Sequence, residues 1–243
     1  MMANNSNAQW QIDGEVAAIA DGRLAASIDL KHPANGLTKL TYDGNAVNGC
    51  IPLQVSPEPP APKSGETLIE SYIRGRDLIA TYAQTPQRSV QPTYYWHCLE
   101  CEGSAVGVEL MVSMQTSLLD SDPTLSAFSE CKGSAHWVCD GKATAIEDAT
   151  WESPANATGL FLFRLNDEVS YAEMVFPSDF LGASVKKDNG AWQLTYRMFP
   201  EDLEKGVIRR GRIRALLMPT KDDIDTATKA YEALSAADPP LTT

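Results

Sequence analysis

Val106-Gly107-Val108-Glu109-Leu110-Met111-Val112-Ser113-Met114-Gln115 is the stretch that decides the fold class. Val106, Val108, Leu110, Val112 and Met114 share one parity, while Gly107, Glu109, Met111, Ser113 and Gln115 share the other. Successive side chains of an extended chain point to opposite faces, so this reads as a half-buried strand with a polar second face. Trp192, Leu194, Tyr196 and Met198 alternate with Gln193, Thr195 and Arg197 in the same way. Working outward, residues 25–30, 37–42, 68–82, 94–101, 135–139, 160–165, 171–176 and 207–218 are further strand candidates. Asp13-Gly14, Asp21-Gly22, Asp43-Gly44, Asp140-Gly141 and Asn189-Gly190 punctuate them, and such pairs accept the positive φ of tight hairpins. Short strands joined by hairpins predict an all-β, large antiparallel sandwich rather than alternating α/β.

Two segments break the period of two. Pro52 to Pro62 holds five prolines, which predicts a loop or edge-hugging linker over 52–65. Near the end, Ile224, Ala227, Tyr231 and Leu234 recur at helical spacing behind Thr220-Lys221-Asp222-Asp223, a stretch like a capping box. One amphipathic helix is therefore expected over about 222–236, stopped by Asp238-Pro239-Pro240. Residues 1–243 read as a single β-sandwich domain, because sandwiches of this length are commonly undivided.

Composition narrows the function classes. The 20 Lys+Arg against 32 Asp+Glu give a formal charge of −12, which argues against nucleic acid or anionic membrane as partner. No apolar run approaches the roughly 18 residues of a membrane helix. Five cysteines cannot all pair internally, and the first residues are polar. Both features point to a cytoplasmic protein, or to the mature form of an exported one.

His32-Pro33-Ala34-Asn35-Gly36-Leu37 is followed by short strands and Asp-Gly hairpins; the strand Glu109 to Thr116 runs into Ser117-Leu118-Leu119-Asp120, and Val207 to Met218 forms a long late strand. In this order of features the chain resembles the galactose-mutarotase-like supersandwich, a two-sheet β fold of sugar epimerases and of domains in polysaccharide-processing enzymes. The resemblance spans most of the chain and implies a supersandwich with a carbohydrate-leaning function. The family's epimerases use a His acid and a Glu base. No local context here matches either, so no catalytic residue is carried over from the resemblance.

The candidate residues come from the chain itself. Arg210, Arg212 and Arg214 share a parity, and Arg74 and Arg76 are spaced alike within 68–82. Like charges in a row cost energy, so each row requires counter-charges or an anionic ligand. Cross-strand acids are one answer; a carboxylated or sulfated sugar, suited to the bidentate guanidinium, is the other. Gly75 and Gly211 within these segments would admit close approach of a backbone or ligand. His97 and His136 each follow or precede a Trp in a strand and so face away from it, as candidate acid/base groups. Glu100 and Glu102, about 7 Å apart by the two-residue rise, are candidate partner carboxylates. Tyr95 shares the parity of His97 and is the aromatic expected to face outward as a sugar platform.

Cys98 and Cys101 form a C-x₂-C, with Cys131, His136 and Cys139 downstream. On a strand Cys98 and Cys101 point to opposite faces, so no metal site is expected. No dinucleotide fingerprint, P-loop, G-x-S-x-G or H-E-x-x-H occurs, and no cofactor is expected. Three functions follow: a carbohydrate-binding or non-catalytic relative of sugar-processing domains, with anionic sugars as one candidate ligand; a sugar epimerase or polysaccharide-active enzyme using a His/carboxylate pair; or a structural or protein-interaction domain.

Overall fold

A computed structural model describes residues 9–238 except 21, 58–61, 100, 102 and 156, and the elements and sheets below are those of the described residues. The chain begins with a meander of β1 (Gln9–Asp13), β2 (Val16–Ala20), β3 (Leu24–Asp29), β4 (Thr38–Tyr42) and β5 (Asn45–Ala46). Next come β6 (Cys50–Pro57), the hairpin β7 (Leu68–Arg74) and β8 (Asp77–Tyr82), β9 (Gln91–Cys98) and β10 (Val106–Gln115). Then follow β11 (Leu125–Lys132), β12 (Ser134–Cys139), β13 (Lys142–Ile146), β14 (Thr150–Glu152) and β15 (Leu160–Arg164). The last elements are β16 (Val169–Val175), β17 (Ala183–Asp188), β18 (Ala191–Met198), β19 (Arg209–Pro219) and the helix α1 (Asp223–Ala236).

Beyond the meander there are two more sheets. One has nine strands in the order β13-β12-β15-β16-β19-β10-β9-β8-β7, the other five in the order β14-β17-β18-β11-β6. The pairings within both are antiparallel. Their inner faces close one apolar core, to which Tyr94, Trp96 and Leu110 come from the large sheet and Val185, Leu194 and Tyr196 from the smaller. Ile19, Ile28 and Leu30 bring the meander into the same core. The all-β sandwich with one late helix is thus the observed fold. No helix is long and apolar enough to cross a membrane among the described residues.

The outer face of the nine-stranded sheet is divided. Ala227 and Leu234 of α1 pack on Leu162, Met174, Leu216 and Met218, covering the half built by β12, β15, β16 and β19. The half built by β10, β9, β8 and β7 carries no helix. Because β10 lies mid-sheet, even its polar-parity residues Glu109 and Met111 are shielded.

Three sequence expectations are corrected. Residues 50–57 form β6, not a loop; it is the edge strand beside β11, the position in a sheet where Pro is tolerated. The rest of the expected loop includes 58–61, outside the described residues. Residues 68–82 are two strands, with Gly75 at φ +60° in the turn between them. The predicted capping box does not form, since Asp222 is left-handed and makes no side-chain cap. Asp223 instead accepts from Arg164 and Ser170, and this ties the start of α1 to the sheet.

Candidate functional site

Strand register gathers the polar residues of the open half into rows. Arg214 lies opposite Glu109, Glu109 opposite His97, His97 opposite Asp77, and Asp77 opposite Arg74, so one row crosses five strands. The neighbouring row runs Arg212, Met111, Tyr95, Ile79 and Tyr72. Strands about 4.8 Å apart bring such side chains into contact across the sheet. Arg74, Asp77, Tyr95, His97, Glu109, Arg212 and Arg214 line a cavity of about 370 Å³, with Ala237 and Asp238 at its rim.

The first row holds two groups of charge-assisted bonds, Arg214 with Glu109 and His97 with Asp77 and Arg74. Arg214 donates to Glu109 Oε2 through Nε at 3.1 Å and Nη2 at 2.8 Å. The His97 Nδ1 is 2.6 Å from Asp77 Oδ1, and Arg74 approaches Asp77 Oδ2 at 3.5 Å. With Nδ1–H donating to Asp77, the His97 Nε2 is left as the exchangeable position, beside a carboxylate on the next strand. A hydrogen-bonded carboxylate fixes the imidazole's orientation and tautomer, as acid/base work requires.

Arg212 is different. It is only 4% exposed, and its guanidinium stacks on Phe176 with 3.9 Å to the ring centroid. Its backbone N–H donates to Asp179 Oδ2 at 3.0 Å and Nη1 to the Asp238 carbonyl at 3.4 Å, while Nη2 has no partner. Neither Arg212 nor the exposed Arg210 is ion-paired among the described residues, unlike Arg209, Arg214 and Arg74. Burial pushes the Tyr95 phenol up, with the neighbouring Tyr72 adding to the shift and Arg210 and Arg74 opposing it. Burial likewise pushes Asp179 up, against the N–H of Arg212.

This arrangement and the sheet order invite comparison with known structures. A proposed aldose 1-epimerase of Escherichia coli K12 aligns over 87% of this chain and 99% of its own, at 6% identity and a TM-score of 0.54. Another, of Klebsiella pneumoniae subsp. pneumoniae MGH 78578, aligns over 96% and 90%, at 8% identity and a TM-score of 0.56. The fold resembles the galactose-mutarotase-like supersandwich. At these identities the supersandwich likeness is one of fold, and fold alone carries no activity. No protein-family model matches the sequence, and no curated protein matches it significantly.

Within this supersandwich the sequence candidates part company. Arg74, Tyr95, His97, Arg212 and Arg214 meet in the cavity, and Arg210 lies one register step away, opposite Ser113. Arg76 sits in the β7–β8 turn and donates to the carbonyls of Cys98 and Leu99, so it does not share a face with Arg74. His136 lies on β12, with four strands between it and His97; its pKa is lowered by burial and by Arg164. Glu100 and Glu102 lie outside the described residues. Gly75 meets nothing, whereas a Cβ on Gly211 would lie 2.2 Å from Met198 Cε, so that glycine serves packing of β18 rather than a ligand. Cys98 is buried on the inner face of β9, and no group of three metal-ligating side chains occurs among the described residues.

Sequence reading missed Asp77, Glu109, Phe176, Asp179 and Asp238. Glu109 had the right parity within the alternating stretch. What was missing was the register that sets it between Arg214 and His97.

Proposed function

We propose that the open half of the nine-stranded sheet binds a carbohydrate bearing an acidic group. The observation that carries this reading is Arg212, a buried guanidinium with no ion pair among the described residues, at a cavity also lined by Tyr95 and His97. Asp179 acts on this charge without forming an ion pair with the guanidinium, and an anionic ligand would supply the direct partner that Nη2 lacks. Arg210, also unpaired, extends the positive strip, while Tyr95 and the exposed Tyr72 offer ring faces for sugar C–H groups. The volume suits a small polar ligand. The supersandwich likeness agrees with a sugar as that ligand.

The test is a glycan array with neutral, uronic and sulfated sugars, followed by calorimetry on the binders. Acidic sugars bind and neutral ones do not; Arg212→Ala weakens binding about tenfold or more, because charge-assisted hydrogen bonds contribute about 1.5–3 kcal/mol. Arg209→Ala, whose side chain pairs with Glu201 at 2.6 Å and does not line this cavity, changes the binding of a single acidic sugar little. Equal behaviour of the two variants, or no acidic sugar bound, sinks the reading.

A second reading rests on the first row. His97 oriented by Asp77, with Glu109 opposite it, is an acid and a base on one surface, as sugar epimerisation needs. Polarimetry of freshly dissolved aldoses and uronic acids tests it: His97→Asn and Glu109→Gln should each abolish any protein-dependent rate.

A further inference from the structure

Cys50 and Cys131 meet across the ladder of β6 and β11, on the inner side of the smaller sheet. Both are free thiols buried in the sandwich core, they stand directly opposite in register, and their Sγ atoms lie 3.5 Å apart. The kind of pair matters. Lys132 donates its N–H to the Gly49 carbonyl at 2.7 Å, and these two residues are the next step along the same register. Bonded and non-bonded pairs alternate along an antiparallel ladder, so Cys131 and Cys50 form a non-hydrogen-bonded pair. In such a pair the Cα atoms lie about 4.5 Å apart and the side chains are at their closest. Disulfides span Cα separations of about 4.4–6.8 Å, so the backbone sits within the range already. Side-chain rotation is enough to carry the sulfurs from contact to bonding distance.

We infer that Cys50 and Cys131 are a reversible disulfide site that staples the edge strand β6 to β11. The oxidant is a small disulfide such as oxidised glutathione. The Cys50 thiolate attacks one of its sulfurs and releases a glutathione thiolate; Cys131, on losing its proton, attacks Cys50 Sγ and releases the second. Two protein thiols become one disulfide, one glutathione disulfide becomes two thiols, and the two protons pass to the departing thiolates.

The order of attack follows from position. Cys50 begins β6, at the edge of its sheet, whereas β11 lies between β18 and β6. Local opening at the start of an edge strand exposes Cys50 first. Burial pushes the Cys131 thiol up, with Cys50 and Glu173 adding to the shift, so Cys131 serves as the resolving thiol. The bond closes a loop between residues 81 apart, and a link across a loop that long restricts the unfolded chain.

The full chain is tested in two arms, incubated folded with oxidised glutathione and refolded from urea in the same mixture, so that burial cannot hide the pair. Each sample is alkylated in denaturant, digested and analysed by mass spectrometry. Expected is a peptide linking Cys50 to Cys131, lighter by two hydrogens and lost on reduction, with Cys98, Cys101 and Cys139 alkylated. The melting temperature of the oxidised protein should rise by about 5 °C or more. Cys50→Ala and Cys131→Ala should each abolish that rise. Free Cys50 and Cys131 after oxidative refolding, a lasting glutathione adduct on Cys50, or linkage of either to another cysteine overturns the site. A linked peptide with an unchanged melting temperature overturns the staple.

Discussion

Glu173 is where a single residue has most to say about stability. It sits on the inner face of β16, 1% exposed, and accepts from Ser129 Oγ of the opposing sheet at 2.5 Å and from the Tyr171 hydroxyl. Ser129 in turn accepts the Leu53 N–H at 2.9 Å, so one carboxyl links β16, β11 and β6 through the core. Burial pushes its pKa up to about 7, although both hydroxyls pull the other way. The unfolded chain therefore ionises near pH 4.5 while the folded one still holds the proton. Stability from this group is fully present below pH 4.5 and is lost as pH rises through about 7, to a total of about 3 kcal/mol. Urea denaturation from pH 4 to 8 should show Glu173→Gln gaining on the parent protein across that window. Parallel profiles would mean that Glu173 titrates like a surface carboxylate. In the sequence Glu173 is one acid among 32, and nothing local sets it apart; only the opposing sheet makes it a buried one.

Among the elements, α1 shows how a periodic segment depends on an anchor its pattern does not reveal. The spacing of Ala227 and Leu234 did foretell the buried stripe. The anchor is Asp223, which Arg164 grips at 2.9 and 3.0 Å and Ser170 at 2.8 Å. Burial alone would raise its pKa, but the bonds from Arg164 and Ser170 outweigh this and hold it below the usual carboxylate range. Its contribution is present above the ordinary Asp range and is lost as pH falls through the lowered value. Asp223→Ala should cost about 2 kcal/mol by thermal or urea denaturation, less than a fully buried pair because Arg164 is 38% exposed. A loss within about 0.5 kcal/mol, the range of an ordinary surface substitution, would show that apolar packing alone seats the helix. β6 teaches the complementary point: five prolines over 52–62 suggested a loop or linker, yet the two that fall in β6, Pro52 and Pro57, are tolerated in a strand at the sheet edge.

At the scale of the whole molecule, the charge of −12 and the unpaired arginines pull in opposite directions. Long-range repulsion among the acids opposes compaction, whereas Arg210 and Arg212 act within a Debye length of about 8 Å at physiological salt. Raising salt from about 0.05 to about 0.5 M should therefore raise the melting temperature while weakening acidic-sugar binding. Binding that is insensitive to salt would remove the arginines from recognition. The sequence by itself determined the class of fold, because a strand's alternation is a local property: 106–115 and 192–198 declare their buried faces without reference to any neighbour. It also determined which arginines share a face along β19, since parity is counted along one chain. The tertiary structure alone decided which strands lie side by side, and hence that Glu109 stands between Arg214 and His97 and that Asp77 holds His97. It decided too that α1 covers one half of the nine-stranded sheet and, among the described residues, leaves the other without a helix. Register and coverage arise from contacts between residues far apart in sequence, and the periodicity of a single strand carries no record of them.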